Sequence, residues 1–189
     1  MSNTPDSPYR DIYLAGGCFW GVEKFLDLIP GVVATEVGYA NGKTDNPTYY
    51  QVCHEHTEHA EAVKVTYDPE KITLPFLLNQ YYSVIDPTSV DKQGNDEGMQ
   101  YRTGIYYVAE EDLPVIQKSI SELQTKYRKP IAIEVKPLTN YTTAEAYHQK
   151  YLDKNPGGYC HIGRAAFKAA SNAVDPTFNR PVNYFQVKL

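Results

Sequence analysis

The chain has 189 residues, three cysteines and a formal net charge of −5. That length fits one domain able to bury its own core, and scattered charge of both signs argues against a nucleic-acid binder, which would show a basic patch. No apolar run of about 18 residues suggests a membrane span, and the start MSNTPDSPYR lacks the pattern of a secretory signal, so a cytoplasmic, reducing setting is expected for the odd cysteine count.

Residues 1–9 read as a polar tail with two prolines. DIYLAG (11–16) is a short apolar run ending in glycines, a strand and then a turn. From Cys18 onward Phe19, Val22, Phe25, Leu26 and Ile29 fall at helical spacing, and Pro30-Gly31 ends that helix. VVATEVGYA (32–40) is β-branched and reads as a strand, NGKTDNP (41–47) as a loop. AEAVKVTYD (60–68) alternates with period 2 and predicts a half-buried strand. Residues 73–85 predict a helix, with Pro75 suited to its first turn. Residues 86–103 form a long polar loop, a length that often marks function. Then follow a strand (104–109), a helix (110–127), a strand (131–137) and a shorter helix (143–152).

The remainder, 153–189, is rich in Pro, Gly and Asn and reads as a wrapping tail. The whole chain, 1–189, is expected to form a single domain. The order β-α-β-β-α-β followed by α-β-α predicts an α+β protein: a two-layer, ferredoxin-like (split βαβ) sandwich with a long C-terminal wrapping tail.

Cys18 stands between Gly16-Gly17 and Phe19-Trp20, at the expected start of a helix. A helix N-terminus favours an anion, so the position predicts a lowered thiol pKa and a nucleophilic or redox cysteine. The competing reading is a buried structural cysteine. Phe19 and Trp20, the only tryptophan, are either core filler or an apolar wall beside the sulfur that could hold a methyl or thioether group. In the strand 60–68, period 2 puts Glu61 on the face of His59 and Val63, opposite Ala60 and Ala62. Buried beside aromatics it would be a general acid with a raised pKa; otherwise it is a solvated glutamate. Asp96 and Tyr101 lie in the long loop, and NPTYY offers Tyr49 and Tyr50 as further hydroxyls. CHEHTEH gathers Cys53, His54, His56 and His59, but its spacing matches no usual zinc pattern. Cys160, in the Gly-rich NPGGYCHIG, could reach a sulfenic acid on Cys18 and close a disulfide, or be a bystander thiol.

GGCFWGVE resembles the signature of the peptide-methionine (S)-S-oxide reductases, the A-type methionine sulfoxide reductases. GYANG, with Asn41 where a glycine is common, is similar to that family's Gly-Tyr-rich turn. NPTYYQVC, HAEAVKVTYD, QGNDEGMQYRT and AEAYHQKYL also resemble family segments, in order, over about residues 10–163. The resemblance implies that Cys18 attacks the sulfoxide sulfur and that Phe19 and Trp20 receive the substrate methyl. It implies Glu61 as the acid, Tyr49 and Tyr101 as donors to the sulfoxide oxygen, and Asp96 as part of the polar network. It further implies a sulfenic acid on Cys18, resolved by a second cysteine into a disulfide that thioredoxin reduces. Here the one candidate is Cys160, and Cys53 is left structural. No cofactor is expected, electrons coming from thioredoxin or small dithiols. The substrates implied are oxidised proteins, peptides or free methionine sulfoxide, and the chain is expected to be a monomer.

Two rival chemistries remain. A cysteine hydrolase would use Cys18 with His59 or His148 as base. A metal-binding module would be built on the histidine cluster.

Overall fold

Strand β1 (Arg10–Ala15) buries Ile12 and Leu14 on one face and Tyr13 and Ala15 on the other. It therefore has to be covered on both sides, and it lies inside the sheet. This computed structural model describes residues 7–178. Residues 1–6 of the expected N-terminal tail and 179–189 of the expected C-terminal segment lie outside the described residues.

The sheet has six strands in the order β7-β6-β1-β3-β2-β8. They are β2 (Val32–Ala40), β3 (Ala60–Tyr67), β6 (Gly104–Tyr107), β7 (Glu134–Pro137) and β8 (Tyr141–Thr143), together with β1. All neighbours are antiparallel except β6 and β7, which run parallel. The described residues also form six α-helices, so the class is mixed α/β. One face of the sheet joins a core with α1 (Phe19–Asp27), α3 (Leu74–Tyr82) and α4 (Asp112–Gln124). The other face carries a small cluster of Tyr13, Ala15, Ala40, Ala60, Ala62 and Tyr106, partly covered by Leu138 and Tyr141. Helix α1 buries Val22, Phe25, Leu26 and, just past its end, Ile29. That is the i, i+3, i+4, i+7 stripe expected from the sequence. Each such side chain contributes roughly 1.5–3 kcal/mol on burial.

Several expectations need correction. The loop 86–103 is not structureless. It holds a two-stranded hairpin, β4 (Lys92–Gln93) and β5 (Asp96–Glu97), and a 3₁₀ turn at Met99–Tyr101. Asn95-flanking Gly94 at φ +58 makes that tight reversal possible. The helix expected at 143–152 is not continuous. Tyr141–Thr143 pairs with β2, Ala146–His148 is a 3₁₀ turn, and only Tyr151–Lys154 is helical (α5). The break is set by Gln149, whose side chain donates to the Val37 carbonyl and accepts from the Val37 N–H, both at 2.9 Å. The amide side chain supplies the acceptor that the Val37 N–H lacks from a strand and shares the Val37 carbonyl with the Ala144 N–H, 3.0 Å away. A helix not anticipated, α2 (Tyr49–His54), follows NPT. Thr48 and Gln51 form a capping box at its start. The tail after 153 contains α6 (Arg164–Ser171).

Candidate active site

β1 ends at Ala15, held there by the Tyr81 hydroxyl, which donates to the Ala15 carbonyl. Gly17 then takes φ +81, a conformation only glycine adopts freely, and Cys18 follows as the N-cap of α1. The Gly17 N–H donates to the Tyr101 carbonyl at 3.2 Å, which brings the 3₁₀ turn and the Tyr101 phenol beside Cys18. Arg102, 7% exposed, fixes that turn from below. It donates to the carbonyls of Met99 (2.9 Å) and Asn41 (3.2 Å) and to Glu134 (3.1 Å). Asn41, at φ +51, turns the chain where a glycine would be the easy choice; asparagine tolerates this region.

Glu61 comes from β3. It pairs with Tyr39 of β2, one residue beyond where β1 stops. The vacated β1 position is occupied by the start of α1. Glu61 Oε1 accepts the Phe19 N–H at 3.2 Å, a free donor of the first helical turn. Oε2 has no partner, and the residue is 2% exposed. Burial, partly offset by the Phe19 N–H and reinforced by Asp96, pushes the Glu61 carboxyl up to about 8. It is therefore protonated at neutral pH.

The expectation of an acidified thiol is reversed. Burial pushes the Cys18 thiol well up, Glu61 adds to this once it ionises above about pH 8, Asp96 adds further, and the Trp20 backbone N–H opposes the rise only in part. Cys18 is 8% exposed. Loss of hydration here outweighs the favourable helix terminus, whose effect is small when a carboxyl stands at the same terminus. The phenols of Tyr49 and Tyr101 are likewise pushed up, first by burial, with Glu61 adding to both. They remain O–H donors.

Phe19 is core, 1% exposed, its ring 5.9 Å from Tyr39 and 5.1 Å from the His148 ring. Trp20 is only half-buried. It stacks on Tyr151 at 3.7 Å and donates its indole N–H to His148 Nδ1 at 2.9 Å. His148 is 1% exposed, with its ring 4.6 Å from that of Tyr49. Because Nδ1 accepts, the proton is on Nε2.

Two glutamates that sequence reasoning left without a role hold these parts together. Glu145 accepts from the Tyr39 hydroxyl (2.8 Å) and from the Tyr49 N–H (3.1 Å), tying α2 to β2. Glu23, 1% exposed, accepts from the Lys150 N–H (2.7 Å) and the Thr35 hydroxyl (3.0 Å), pinning the His148–Tyr151 segment to α1. Neither role is signalled by local spacing, since Glu23 and Glu145 meet partners 127 and 106 residues away in the chain.

Asp96 stands on β5 and accepts from the Tyr159 hydroxyl at 3.1 Å. Cys160 is half-buried and packs over Gly21, where a Cβ would lie 2.8 Å from its Sγ. Cys18, Cys53 and Cys160 are all free thiols. Tyr50 is 67% exposed and turned away with His54.

Neither histidine of the hydrolase reading is directed at Cys18. His59 is engaged by Thr44, its Nε2 2.7 Å from the Thr44 carbonyl, and His148 by Trp20. Among the described residues no three His, Cys, Asp or Glu side chains gather in a metal-holding arrangement. No helix among them is long and apolar enough to cross a membrane.

Residues 10–177 match the family model described as peptide methionine sulfoxide reductase. The peptide methionine sulfoxide reductase MsrA of Lachnoclostridium phytofermentans is 62% identical over 164 residues, covering 87% of this chain and 99% of that protein. Among solved structures, reduced Mxr1 from Saccharomyces cerevisiae is 40% identical, with a TM-score of 0.78 over 82% of this chain and 91% of that one. Mxr1 in complex with Trx2 is 28% identical, with a TM-score of 0.57 over 80% and 89%. With the matched segment spanning every residue assembled around Cys18, the chain belongs to the peptide methionine sulfoxide reductase family.

Proposed function

We propose that the chain reduces the S epimer of methionine sulfoxide, free or in proteins, by passing the oxygen to Cys18 and recycling the enzyme through a Cys18–Cys160 disulfide. The observation that carries this reading is Glu61: a buried carboxyl, protonated at neutral pH, with one oxygen unpartnered beside the Cys18 helix start.

Sulfoxide oxygen leaves sulfur only when protonated or strongly hydrogen-bonded. Glu61 gives its proton to that oxygen while the Tyr49 and Tyr101 phenols donate to it, supplying charge stabilisation in a dry site. As the sulfur becomes cationic, Cys18 attacks and its thiol proton returns to Glu61. The new bond between the two sulfurs then breaks as the hydroxyl passes from the substrate sulfur to the Cys18 sulfur, giving methionine and a Cys18 sulfenic acid, with Glu61 protonated again. The raised thiol pKa fits this order, because the anion is favoured only after the substrate carries positive charge. Asp96 steadies the polar side. Trp20, which like Phe19 packs on the His148 ring, receives the methyl group. Oxygen donors on one side and an apolar wall on the other would read the handedness of the sulfur, in keeping with one enzyme per epimer. Turnover of separated epimers with dithiothreitol tests this; equal consumption of both, or of neither, would sink it.

The Mxr1–Trx2 complex supports thioredoxin as the reductant of the disulfide. Cys160→Ser is expected to keep one methionine per enzyme and turnover with dithiothreitol, yet lose thioredoxin-driven turnover by about 100-fold, as a resolving thiol is removed. An unchanged thioredoxin-dependent rate would dismiss Cys160. His148→Phe should preserve the ring contacts while stripping Trp20 of its acceptor. A lost hydrogen bond of about 1 kcal/mol predicts a roughly fivefold higher KM. Because Trp20 is the sole tryptophan, its fluorescence should shift in the same variant.

The strand order β6-β1-β3-β2, antiparallel throughout, with α1 between β1 and β2 and α3 between β3 and β6, supports a split βαβ, ferredoxin-like centre.

A further inference from the structure

Cys160 is held in place by the residues on either side of it. Tyr159 donates its hydroxyl to Asp96 Oδ2 at 3.1 Å, and His161 Nδ1 stands 4.0 Å from the same oxygen. The His161 side chain is 8% exposed, and burial pushes its pKa down, so it packs as a neutral ring beside Asp96 and the Gly16 backbone. What it packs on is bare backbone. A Cβ on Gly17 would lie 3.2 Å from the His161 ring and 2.8 Å from Gln93 Cβ. A Cβ on Gly21 would lie 2.8 Å from Cys160 Sγ and 3.3 Å from Ile162. The two glycines form a strip beside Cys18 on which His161 and Cys160 rest, and the β4–β5 hairpin closes over it through Asp96.

The register matters. Cys18 is the N-cap of α1 and Gly21 comes three residues later. Cys160 therefore rests on the first turn of the helix that Cys18 caps, and closing the disulfide requires the two β-carbons to come within about 3.5–4.5 Å.

We propose that Tyr159, acting through Asp96, and Gly21 are positioning residues for the disulfide step: they hold Cys160 in register with Cys18. This rests on the reading above that Cys18 becomes a sulfenic acid. In the step itself the Cys160 sulfur attacks the Cys18 sulfur, the S–O bond breaks, and the thiol proton leaves with the hydroxyl as water. Tyr159 is 44% exposed, so removing its hydroxyl leaves the core intact.

The test is a single turnover without reductant, following methionine, free thiols and dimedone-trapped sulfenic acid separately. Tyr159→Phe should form methionine within about twofold of the unaltered rate. Its loss of the second free thiol should be about tenfold slower, the scale of a hydrogen bond to a charged group. Dimedone should then trap Cys18. Gly21→Ala should act in the same direction, because its Cβ displaces Cys160. Disulfide closure at the unaltered rate in both variants would overturn the proposal, as would equal slowing of methionine formation and closure. Failure of the unaltered protein to form methionine would instead overturn the functional reading beneath it.

Discussion

Replacing Cys18 by serine is expected to bring sulfoxide reduction down to background, a loss on the order of 10⁴-fold or more, as when other enzymes lose their nucleophile. The cause is chemical rather than steric. A serine oxygen would have to form an O–O bond or leave the sulfoxide oxygen in place, and neither gives methionine. The fold should not suffer. Cys18 is the N-cap of α1 and makes no side-chain capping bond, whereas serine is a preferred N-cap. The variant should therefore melt at the same temperature or higher, by up to about 1 kcal/mol of added stability. Methionine released from the sulfoxide in the presence of dithiothreitol is the readout. Activity above a few per cent in a folded variant would remove Cys18 from the reaction.

Cys18 and Glu61 were legible in the sequence because each depends on local period. The spacing Phe19, Val22, Phe25, Leu26 fixes where α1 starts, and alternation in AEAVKVTY fixes the face of Glu61. The sign of the Cys18 shift was not legible. A helix terminus is a local feature, but desolvation depends on what covers the thiol, and Glu61 and Asp96 arrive from 43 and 78 residues downstream in the sequence. The same limit explains 143–152. Apolar spacing there suggests a helix, while Gln149 supplies the acceptor that the Val37 N–H lacks from a strand, a long-range pairing that no spacing rule encodes. α2 is a different case. Thr48 and Gln51 are a capping-box pattern readable from the sequence, obscured by the Asn-Pro before it. Glu145, Glu23 and His148 position site residues only through contacts made after folding, so their residue types could be seen but not their duties.

Glu61→Gln is expected to slow methionine formation by about 10²–10⁴-fold, the range for a lost general acid, and to stabilise the protein above neutral pH. The carboxyl is the acid only while protonated, so the unaltered enzyme should lose activity as pH rises through about 8. The glutamine variant should lack that limb. Stability follows the same proton. Burial raises the folded-state carboxyl from 4.5 to about 8. Between those values the folded protein holds a proton that the unfolded chain has released, so raising the pH favours unfolding. The stability of the unaltered protein should decline across that window and level off above it, by an amount on the order of a few kcal/mol at about 1.4 per unit. Glutamine has no proton to hold. Its carbonyl can still accept the Phe19 N–H, while its amide leaves both N–H donors unpaired at every pH alike. The melting-temperature gap between the two proteins should thus be smallest near pH 4 and widest at pH 8 and above. Parallel melting curves across pH would mean that Glu61 is not a buried acid. A retained alkaline limb in the glutamine variant would assign the titration to another group. The site keeps at its centre a group that weakens the fold over the pH range in which it is useful, because a carboxyl easy to ionise could not hand its proton to a sulfoxide.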